Sequence, residues 1–228
     1  MKYLIKFIAG VFCFFCFTGN KLIAQQKIDS SFHFYYYDQK LSMFDAMDAE
    51  NDGIVWLGDS ITDGGEWSEL FKKKKTANRG ISSDVTYGVL NRLYNIKKLK
   101  PSKVFVLIGI NDVARNIPDS LIIKNYLRII DTFLLQMPNT KLYMQSLLPT
   151  NNSFTNFKNH QNKTDHIQFI NAALKKVCQN KKVTFVNLYD EFLDKEGKLD
   201  AKYTNDGLHL IGAGYIHWKN ILLKNKYL

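Results

Sequence analysis

The sequence feature that most limits the possible folds is a short apolar run, Ile54-Val55-Trp56-Leu57, that leads directly into Gly58-Asp59-Ser60. Three of the four apolar residues are β-branched or aromatic, which predicts a strand buried on both faces. In an open parallel sheet, ligands bind outside the carboxyl ends of the strands. Ser60 would then lie at the mouth of a cleft, where a nucleophile is needed. The alternative is that Asp59 and Ser60 only cap the helix that follows.

The rest of the chain alternates between predicted strands and predicted helices. Four more strands are indicated, over residues 76–79, 104–108, 142–147 and 183–188. Apolar residues at helical spacing predict five helices, namely a helix capped by Ser30-Ser31, one after Gly80, one over residues 119–136, one carrying residues 167–177 and one over residues 212–223. This alternation predicts an α/β domain with a parallel sheet covered on both faces.

Residues 1–24 have the layout of a secretory signal peptide. Lys2 and Lys6 give a charged start, residues 7–17 form an apolar run, and Leu22-Ile23-Ala24 suits cleavage before Gln25. A permanent anchor is disfavoured because the run is short for a bilayer span. We therefore expect a secreted or periplasmic protein without stable membrane insertion after signal removal. One domain would cover residues 25–228, with an N-terminal helical extension at residues 25–50.

Charge and cysteine content argue against several classes of partner. The formal net charge is +10 over 228 residues, and removing the three lysines of residues 1–24 leaves +7. The basic run at residues 72–75 has no interleaved aromatic residues, which favours a solvated face over a nucleic-acid site. Cys178 is the only cysteine after residue 24, and its place on an apolar helix face indicates a core residue. No cysteine spacing typical of zinc occurs in the sequence.

Only one of the five histidines has an aspartate placed to orient its ring. In Asp206-Gly207-Leu208-His209 the two polar side chains lie about one turn apart. A carboxylate could then accept a hydrogen bond from Nδ1 and leave Nε2 to face a hydroxyl. The alternative is an ordinary surface turn, since Asn205-Asp206-Gly207 is good turn sequence. The other histidines, to which no role is assigned, are His33, His160, His166 and His217.

Two further strand ends carry residues that could stabilise an oxyanion. Gly80 follows the second predicted strand, where the lack of a side chain would let its backbone N–H approach a reacting carbonyl. Asn111 follows the third strand, and its amide could donate a second hydrogen bond. The alternatives are a turn glycine, and an Asx turn or helix cap at Asn111-Asp112.

Together these segments resemble a known family. Gly58-Asp59-Ser60, Gly80, Gly109-Ile110-Asn111-Asp112 and Asp206-Gly207-Leu208-His209 are similar, in order and approximate spacing, to the four blocks of the SGNH (GDSL) esterase superfamily. The longer strings at residues 58–65 and 78–82 resemble its branch of platelet-activating-factor acetylhydrolase-like and sugar O-acetylesterase-like members. The resemblance covers residues 50–228.

The resemblance implies a flavodoxin-like fold, a three-layer α/β/α sandwich around a five-stranded parallel sheet. It implies Ser60 as the nucleophile, His209 as the general acid and base, and Asp206 as the residue that orients His209. The backbone N–H groups of Ser60 and Gly80 and the side chain of Asn111 would form the oxyanion hole. An ester would be cleaved through an acyl-enzyme, with no metal or organic cofactor.

The expected substrate is a small-molecule or glycan ester. Residues 149–164 form a predicted loop rich in amide side chains, with Phe154 and Phe157 as its large apolar residues, and it should border the cleft because it follows the fourth strand. Such a surface suits sugars, but an ordinary polar loop would have the same composition. The candidate substrate contacts are Asp59, Trp67, Arg79, Phe154 and Phe157, although an anchoring role is favoured for Trp67.

Three functions are compatible with these features. The leading hypothesis is an exported serine esterase that removes short acyl groups, above all acetyl groups from carbohydrates. The second is a lysophospholipase or thioesterase of the same superfamily. The third is a non-catalytic carbohydrate-binding relative, which the presence of Ser60, Asn111 and His209 disfavours.

Overall fold

Five parallel strands form the centre of the protein. The computed structural model describes residues 32–47 and 52–228. The strands are β1 (Ile54–Gly58), β2 (Thr76–Gly80), β3 (Lys103–Leu107), β4 (Lys141–Gln145) and β5 (Thr184–Val186). Their order is β2-β1-β3-β4-β5, and each neighbouring pair is parallel. The predicted five-stranded parallel sheet is therefore confirmed.

Helices cover both faces of this sheet, as predicted. Those in the described residues are α1 (Tyr35–Ala46), α2 (Ser60–Asp63), α3 (Trp67–Leu70), α4 (Thr86–Asn91), α5 (Leu93–Lys98), α6 (Ile110–Ala114), α7 (Asp119–Gln136), α8 (Thr164–Lys181) and α9 (Gly212–Lys224). Helices α4, α5 and α8 each pack on α7 at one face. At the other face, α3 and α9 meet through Trp67 and Trp218. The result is the α/β/α sandwich that the resemblance implies.

A row of aromatic rings fixes the register of the central strands. Trp56 of β1 stacks on Trp67 of α3 with ring centroids 4.0 Å apart, and on Phe105 of β3 at 4.8 Å. Phe105 stacks in turn on Tyr143 of β4 at 4.4 Å. Trp56 is the register partner of Phe105, and Phe105 is the partner of Tyr143. Because each aromatic pair contributes about 0.5–1.5 kcal/mol beyond burial, a shift of one strand would lose several favourable contacts at once.

The single helix predicted after Gly80 is in fact two helices, α4 and α5, separated at Arg92. Arg92 has a non-helical φ of −113°, and its side chain is buried. Its guanidinium donates to the carboxylate of Asp84 and to the carbonyl oxygens of Arg79 and Gly58. The break in the helix thus coincides with a buried cation that ties it to the carboxyl ends of β1 and β2.

Helix α1 packs beside the carboxyl edge of the sheet. Tyr37 donates to the carbonyl oxygen of Gly88 at 2.8 Å, and the guanidinium of Arg79 lies 4.5 Å from the ring centroid of Phe44. The N-cap of α1 is Phe34, without a side-chain cap. The predicted cap at Ser30-Ser31 and the predicted signal peptide lie outside the described residues. No described helix combines the length and the apolar character that a bilayer span requires.

Candidate active site

Ser60 is the first residue of α2 and directly follows Asp59 at the end of β1. Asp59 is the N-cap, and its Oδ1 accepts a hydrogen bond from the N–H of Ile61 at 3.0 Å. The capping interpretation of this motif is thus correct for Asp59. As the first helical residue, Ser60 has a backbone N–H without a partner inside the helix. Its side chain lies at the carboxyl edge of the sheet, where the sequence predicts a cleft.

Three side chains from distant parts of the chain form a hydrogen-bonded series. Ser60 Oγ lies 2.9 Å from His209 Nε2, and His209 Nδ1 lies 2.7 Å from Asp206 Oδ2. Burial raises the pKa of Asp206, but hydrogen bonds from the His209 ring and from the N–H groups of Leu208 and His209 outweigh it, so the pKa lies below its usual value. The ionised carboxylate accepts from Nδ1–H, which leaves Nε2 to accept from the Ser60 hydroxyl.

A left-handed glycine holds this aspartate and histidine in place. Gly207 has φ of 81°, and a Cβ at this position would overlap the carbonyl oxygen of Asn151. The backbone N–H of Asn151 donates to the carbonyl oxygen of Gly207 at 2.9 Å. The segment that carries Asp206 and His209 is therefore fixed to the loop that follows β4, and only glycine fits at position 207 without strain.

The amide of Asn111 is held at both ends. Asn111 is the second residue of α6, which starts just beyond β3. Its Nδ2 donates to the carbonyl oxygen of Asp84 at 3.0 Å, and its Oδ1 faces Nε2 of His160 at 2.9 Å. One N–H of the amide remains for a ligand. His160 is a site residue that the sequence reasoning missed, because no local pattern pairs it with an asparagine 49 positions earlier.

Gly80 does not have the free backbone donor that was predicted. Its N–H donates to the side-chain oxygen of Asn78 at 2.8 Å. The missing side chain serves another purpose, since a Cβ at position 80 would overlap the backbone of Asp63 in α2. Three residues further on, exposed Ser83 has a left-handed φ of 68°, and its N–H has no partner among the described residues. Neighbouring Ser82 lines the cleft.

The cleft beside Ser60 is open, polar and modest in size. Its volume is about 460 Å³, and its lining residues are Tyr36, Ser60, Asp63, Gly64, Ser82, His209, Leu210 and Tyr215. Asp63 connects two walls, because its carboxylate accepts from Tyr36 and Lys40 of α1 and from the hydroxyl of Ser82. Helix α1 is therefore one wall of the cleft, which the sequence reasoning did not predict. In the described residues, no group of three or more His, Cys, Asp or Glu side chains could hold a metal ion.

None of the five predicted substrate contacts is among the residues that line this cleft, and three of the five are buried. Asp59 is fully buried beneath it as a helix cap. Trp67 is 1% exposed and donates its indole N–H to the carbonyl oxygen of Thr62, so it anchors its helix, as the favoured interpretation held. Arg79 is buried against Phe44 of α1. These side chains lack the exposed surface that contact with a substrate requires.

The two phenylalanines of the loop after β4 lie closer to the reacting groups. Phe157 is 43% exposed. Its ring contacts two histidine rings edge-on, with centroid distances of 4.7 Å to His209 and 5.9 Å to His160. Phe154 is half-buried against Gly207. Several amides of this loop bind the protein itself, since Asn151 donates to Leu199 and Gln161 donates to two backbone carbonyls of the loop. Asn151 and Gln161 thus stabilise the loop, whereas the other amide side chains of the loop are exposed.

Three buried carboxyl groups lie under the site. Desolvation by burial raises their pKa values, to about 8 for Asp59, about 7 for Asp112 and about 6 for Asp84. Asp84 pairs with Arg92 at 2.8 Å, and Asp112 accepts from the N–H and hydroxyl of Thr86. Asp59 Oδ2 has no hydrogen-bond partner in the described part of the chain. These three carboxyl groups are therefore part of the buried layer beneath the cleft.

Comparison with known proteins agrees with this arrangement. The family model of the GDSL-like lipases and acylhydrolases matches residues 56–216. Human platelet-activating factor acetylhydrolase IB subunit alpha2 is 27% identical over 182 residues, which cover 76% of this chain and 75% of that protein.

Solved structures agree as well. A GDSL-like lipase from Bacteroides thetaiotaomicron is 25% identical, with a TM-score of 0.71 over 84% of this chain and 98% of its own. An acetyl xylan esterase shares the fold, with a TM-score of 0.62 at 19% identity over 75% and 98% of the two chains. The chain therefore belongs to the GDSL-like lipase/acylhydrolase family, within the SGNH superfamily, and is a carboxylic ester hydrolase.

Proposed function

We propose that the protein is an exported serine esterase that removes acetyl groups through a Ser60-His209-Asp206 triad. The observation that carries the proposal is the hydrogen-bonded series from Ser60 Oγ through His209 to Asp206. In such a series the aspartate fixes the tautomer of the histidine, whose Nε2 can take the serine proton. The other four histidines have different partners among the described residues, because His33 faces Asp38, His160 faces Asn111, His166 faces Asp119 and His217 faces the carbonyl oxygen of Glu191, which leaves His209 as the base.

The reaction would proceed in two steps. Ser60 Oγ forms a bond to the ester carbonyl carbon as its proton passes to His209 Nε2. The tetrahedral intermediate then collapses, the bond to the alcohol oxygen breaks, and His209 returns the proton to the departing alcohol. Water repeats the sequence on the acyl-enzyme, which releases the acid and free Ser60.

The oxyanion would be stabilised by three donors from three strand ends. The N–H of Ser60 and the remaining amide N–H of Asn111 are two of them. In place of the predicted Gly80, whose N–H is occupied, the third would be the N–H of Ser83, which has no partner in the part of the chain that the structure describes. Ser83 lies between Ser82, which lines the cleft, and Asp84, whose carbonyl oxygen accepts from Asn111.

Acetyl esters of carbohydrates are the substrates that this cleft fits best. The residues next to Ser60 are small or polar, and a cleft open to solvent offers little apolar surface for a long acyl chain. Phe157 beside His209 offers an exposed ring on which a sugar face could pack. Two similar proteins also carry the acetyl group in their names, platelet-activating factor acetylhydrolase IB subunit alpha2 and an acetyl xylan esterase.

Export is the remaining part of the proposal. It is supported by the charged start, the apolar run and the Ala24-Gln25 junction of residues 1–25. An exported enzyme would meet acetylated polysaccharides outside the cytoplasm.

Replacement of Ser60 tests the triad. Ser60→Ala should retain the parent's unfolding temperature but lose about 10³-fold or more of its turnover of p-nitrophenyl acetate. Ser153→Ala, an exposed serine of the loop after β4, is the matched control and should retain full activity. Near-parent turnover by a folded Ser60→Ala protein would contradict the proposal.

The identity of the alcohol part of the substrate is tested separately, with natural esters. Acetate release from acetylated xylo-oligosaccharides should exceed hydrolysis of a lysophospholipid and of an acyl-thioester at equal concentration. Preference for either of the latter would support the lysophospholipase or thioesterase alternative instead.

A further inference from the structure

We infer that His160 is a positioning residue of the oxyanion hole, because it fixes the direction in which the side-chain amide of Asn111 points. The inference rests on the proposed function, in which Asn111 donates to the oxyanion. It assigns a role to a histidine that lies outside the Ser60-His209-Asp206 series.

The hydrogen bonds of Asn111 leave one arrangement of its amide. The carbonyl oxygen of Asp84 can only accept, so the atom that faces it at 3.0 Å must be Nδ2. Oδ1 therefore faces His160, and His160 Nε2, at 2.9 Å, must carry the proton. A rotation of the amide by half a turn would place two acceptors against each other at Asp84. The same rotation would place two donors against each other at His160, unless the ring proton moved to Nδ1, which is buried and has no hydrogen-bond partner among the described residues, so both partners oppose it.

For catalysis, the orientation of the amide decides whether a hydrogen-bond donor or an acceptor faces the substrate. With the amide held in this way, the N–H that its two partners leave free is the donor that would face the reacting oxygen. In the rotated arrangement Oδ1 would take part of that place and repel a developing negative charge. A donor that must act at about 3 Å also loses much of its effect when it is displaced by a fraction of this distance.

The surroundings of His160 indicate that its Nε2–H is the group that matters. Its Nδ1 is buried and has no hydrogen-bond partner among the described residues. Burial, together with nearby His209, lowers the pKa of His160, so the ring is neutral and has one proton to place. A residue needed only for packing could be apolar and would leave no polar atom unsatisfied.

The backbone also brings this ring to Asn111 by a strained route. Phe157 has φ of 50°, a left-handed value that is uncommon for a bulky residue, and a single 3₁₀ turn at Lys158–His160 follows it. The N–H of His160 donates to the carbonyl oxygen of Phe157 at 2.8 Å. One short segment thus places Phe157 against His209 and His160 against Asn111. Strain of this kind often marks a functional site.

Two substitutions separate the hydrogen bond from packing. His160→Phe keeps a ring but has no donor, whereas His160→Gln keeps an N–H donor. We expect the phenylalanine variant to lose about 10-fold in kcat on p-nitrophenyl acetate with KM changed less than about twofold. The glutamine variant should recover most of kcat. Equal activity of the two variants, whether high or low, would overturn the inference.

A double-mutant cycle tests the route through Asn111. Asn111→Ala should lower kcat by about 10²–10³-fold, and adding His160→Phe to it should cost less than a further twofold. A full 10-fold loss in that background would show that His160 acts elsewhere and would overturn the inference. His166→Gln is the matched control, because this exposed histidine six residues away pairs with Asp119 and with no other of the described residues.

A measurement on the unmodified protein avoids any dependence on how the variants fold. The ¹⁵N spectrum of the histidine side chains should show His160 as the Nε2–H tautomer near neutral pH, and the Nδ1–H tautomer would overturn the inference. The proposed function would be contradicted by a different result, namely turnover by Ser60→Ala. The tautomer of His160 does not affect that result.

Discussion

Gly80 packs against Asp63 so closely that a Cβ at position 80 would overlap the backbone nitrogen of Asp63 and lie 2.7 Å from the carbonyl carbon of Thr62. The contact joins the end of β2 to α2, the helix that begins with Ser60. Glycine at this position therefore sets the distance between the nucleophile's helix and the neighbouring strand.

We expect Gly80→Ala to destabilise the protein by about 1–3 kcal/mol and to lower kcat, because β2 and α2 must move apart to accept the methyl group. Urea unfolding and turnover of p-nitrophenyl acetate measure the two effects. Gly212→Ala is the control, since a Cβ there meets no atom within 4 Å. Parent-like stability of Gly80→Ala would show that the contact yields easily.

The carboxylate of Asp206 should be needed for its charge and for acceptor geometry rather than for its shape. In Asp206→Asn, Oδ1 can still accept the backbone N–H groups of Leu208 and His209, so the local fold is preserved. The new NH₂ group would face His209 Nδ1 and favour the tautomer with its proton on Nε2, which cannot take the Ser60 proton. We expect kcat to fall by about 10³–10⁴-fold.

The control for that change is Asp119→Asn, which alters a similar aspartate–histidine pair on the surface, with His166. It should leave kcat unchanged. A loss below tenfold in Asp206→Asn would be inconsistent with a role in setting the tautomer.

The buried carboxyl groups should make stability depend on pH in an unusual direction. Burial raises the pKa of Asp59 to about 8, above the value of about 4 in an unfolded chain. Between these values the folded state holds a proton that the unfolded state has released, so this group's contribution falls as pH rises from about 4 to 8. Asp112 and Asp84, with pKa values of about 7 and 6, act in the same sense.

Asp59→Asn, which mimics the protonated acid, should match the parent only below about pH 4, and its advantage in free energy of unfolding should grow by on the order of 2–4 kcal/mol between pH 5 and pH 8. Denaturant unfolding at both values measures this difference. Exposed Asp165→Asn should show no such dependence. An advantage for Asp59→Asn that is equal at both pH values would argue against a buried titrating group.

Selectivity for the acyl chain should favour the shortest esters. A lipid pocket gains about 0.8 kcal/mol for each buried CH₂, nearly fourfold in kcat/KM when realised in the transition state. A small polar cleft gains nothing from added methylenes. We expect p-nitrophenyl acetate to be cleaved faster than the butyrate and the octanoate hardly at all, after correction for spontaneous hydrolysis. Rates that climb toward the octanoate would favour a lipid substrate.

Export should leave a new N-terminus near Gln25. Mass spectrometry of protein recovered outside the cytoplasm measures it directly, and Phe14→Asp, which interrupts the apolar run, should prevent processing. Membrane-bound protein that retains Met1 would indicate a permanent anchor.

The strand positions and the Asp206-His209 pair were accessible from the sequence because their signals are local. Four apolar runs and the short segment 76–79 predicted the five strands, and residues 119–136 matched α7 at both ends. For helix α2 only the cap was indicated, because four residues are too few to show periodicity. The role of His160 depends on its contact with Asn111, which lies far away in the chain. The donor of Gly80 is lost because the side chain of Asn78 competes for its N–H. Neither contact can be predicted from residue spacing. Trp67, Arg79 and Asp59 were offered as contacts because burial cannot be judged from residue type alone.

Helix α1 reaches the cleft through Tyr36 and Lys40, whereas the last residues of the chain lie at the opposite edge of the sheet, where Lys103 at the start of β3 donates to the carbonyl oxygen of Tyr227. An affinity tag or surface linker attached after Leu228 would therefore leave the cleft open to bulky polysaccharides. The same attachment ahead of α1 would crowd the entrance, so immobilised enzyme should process polymers well only when it is tethered by its carboxyl end.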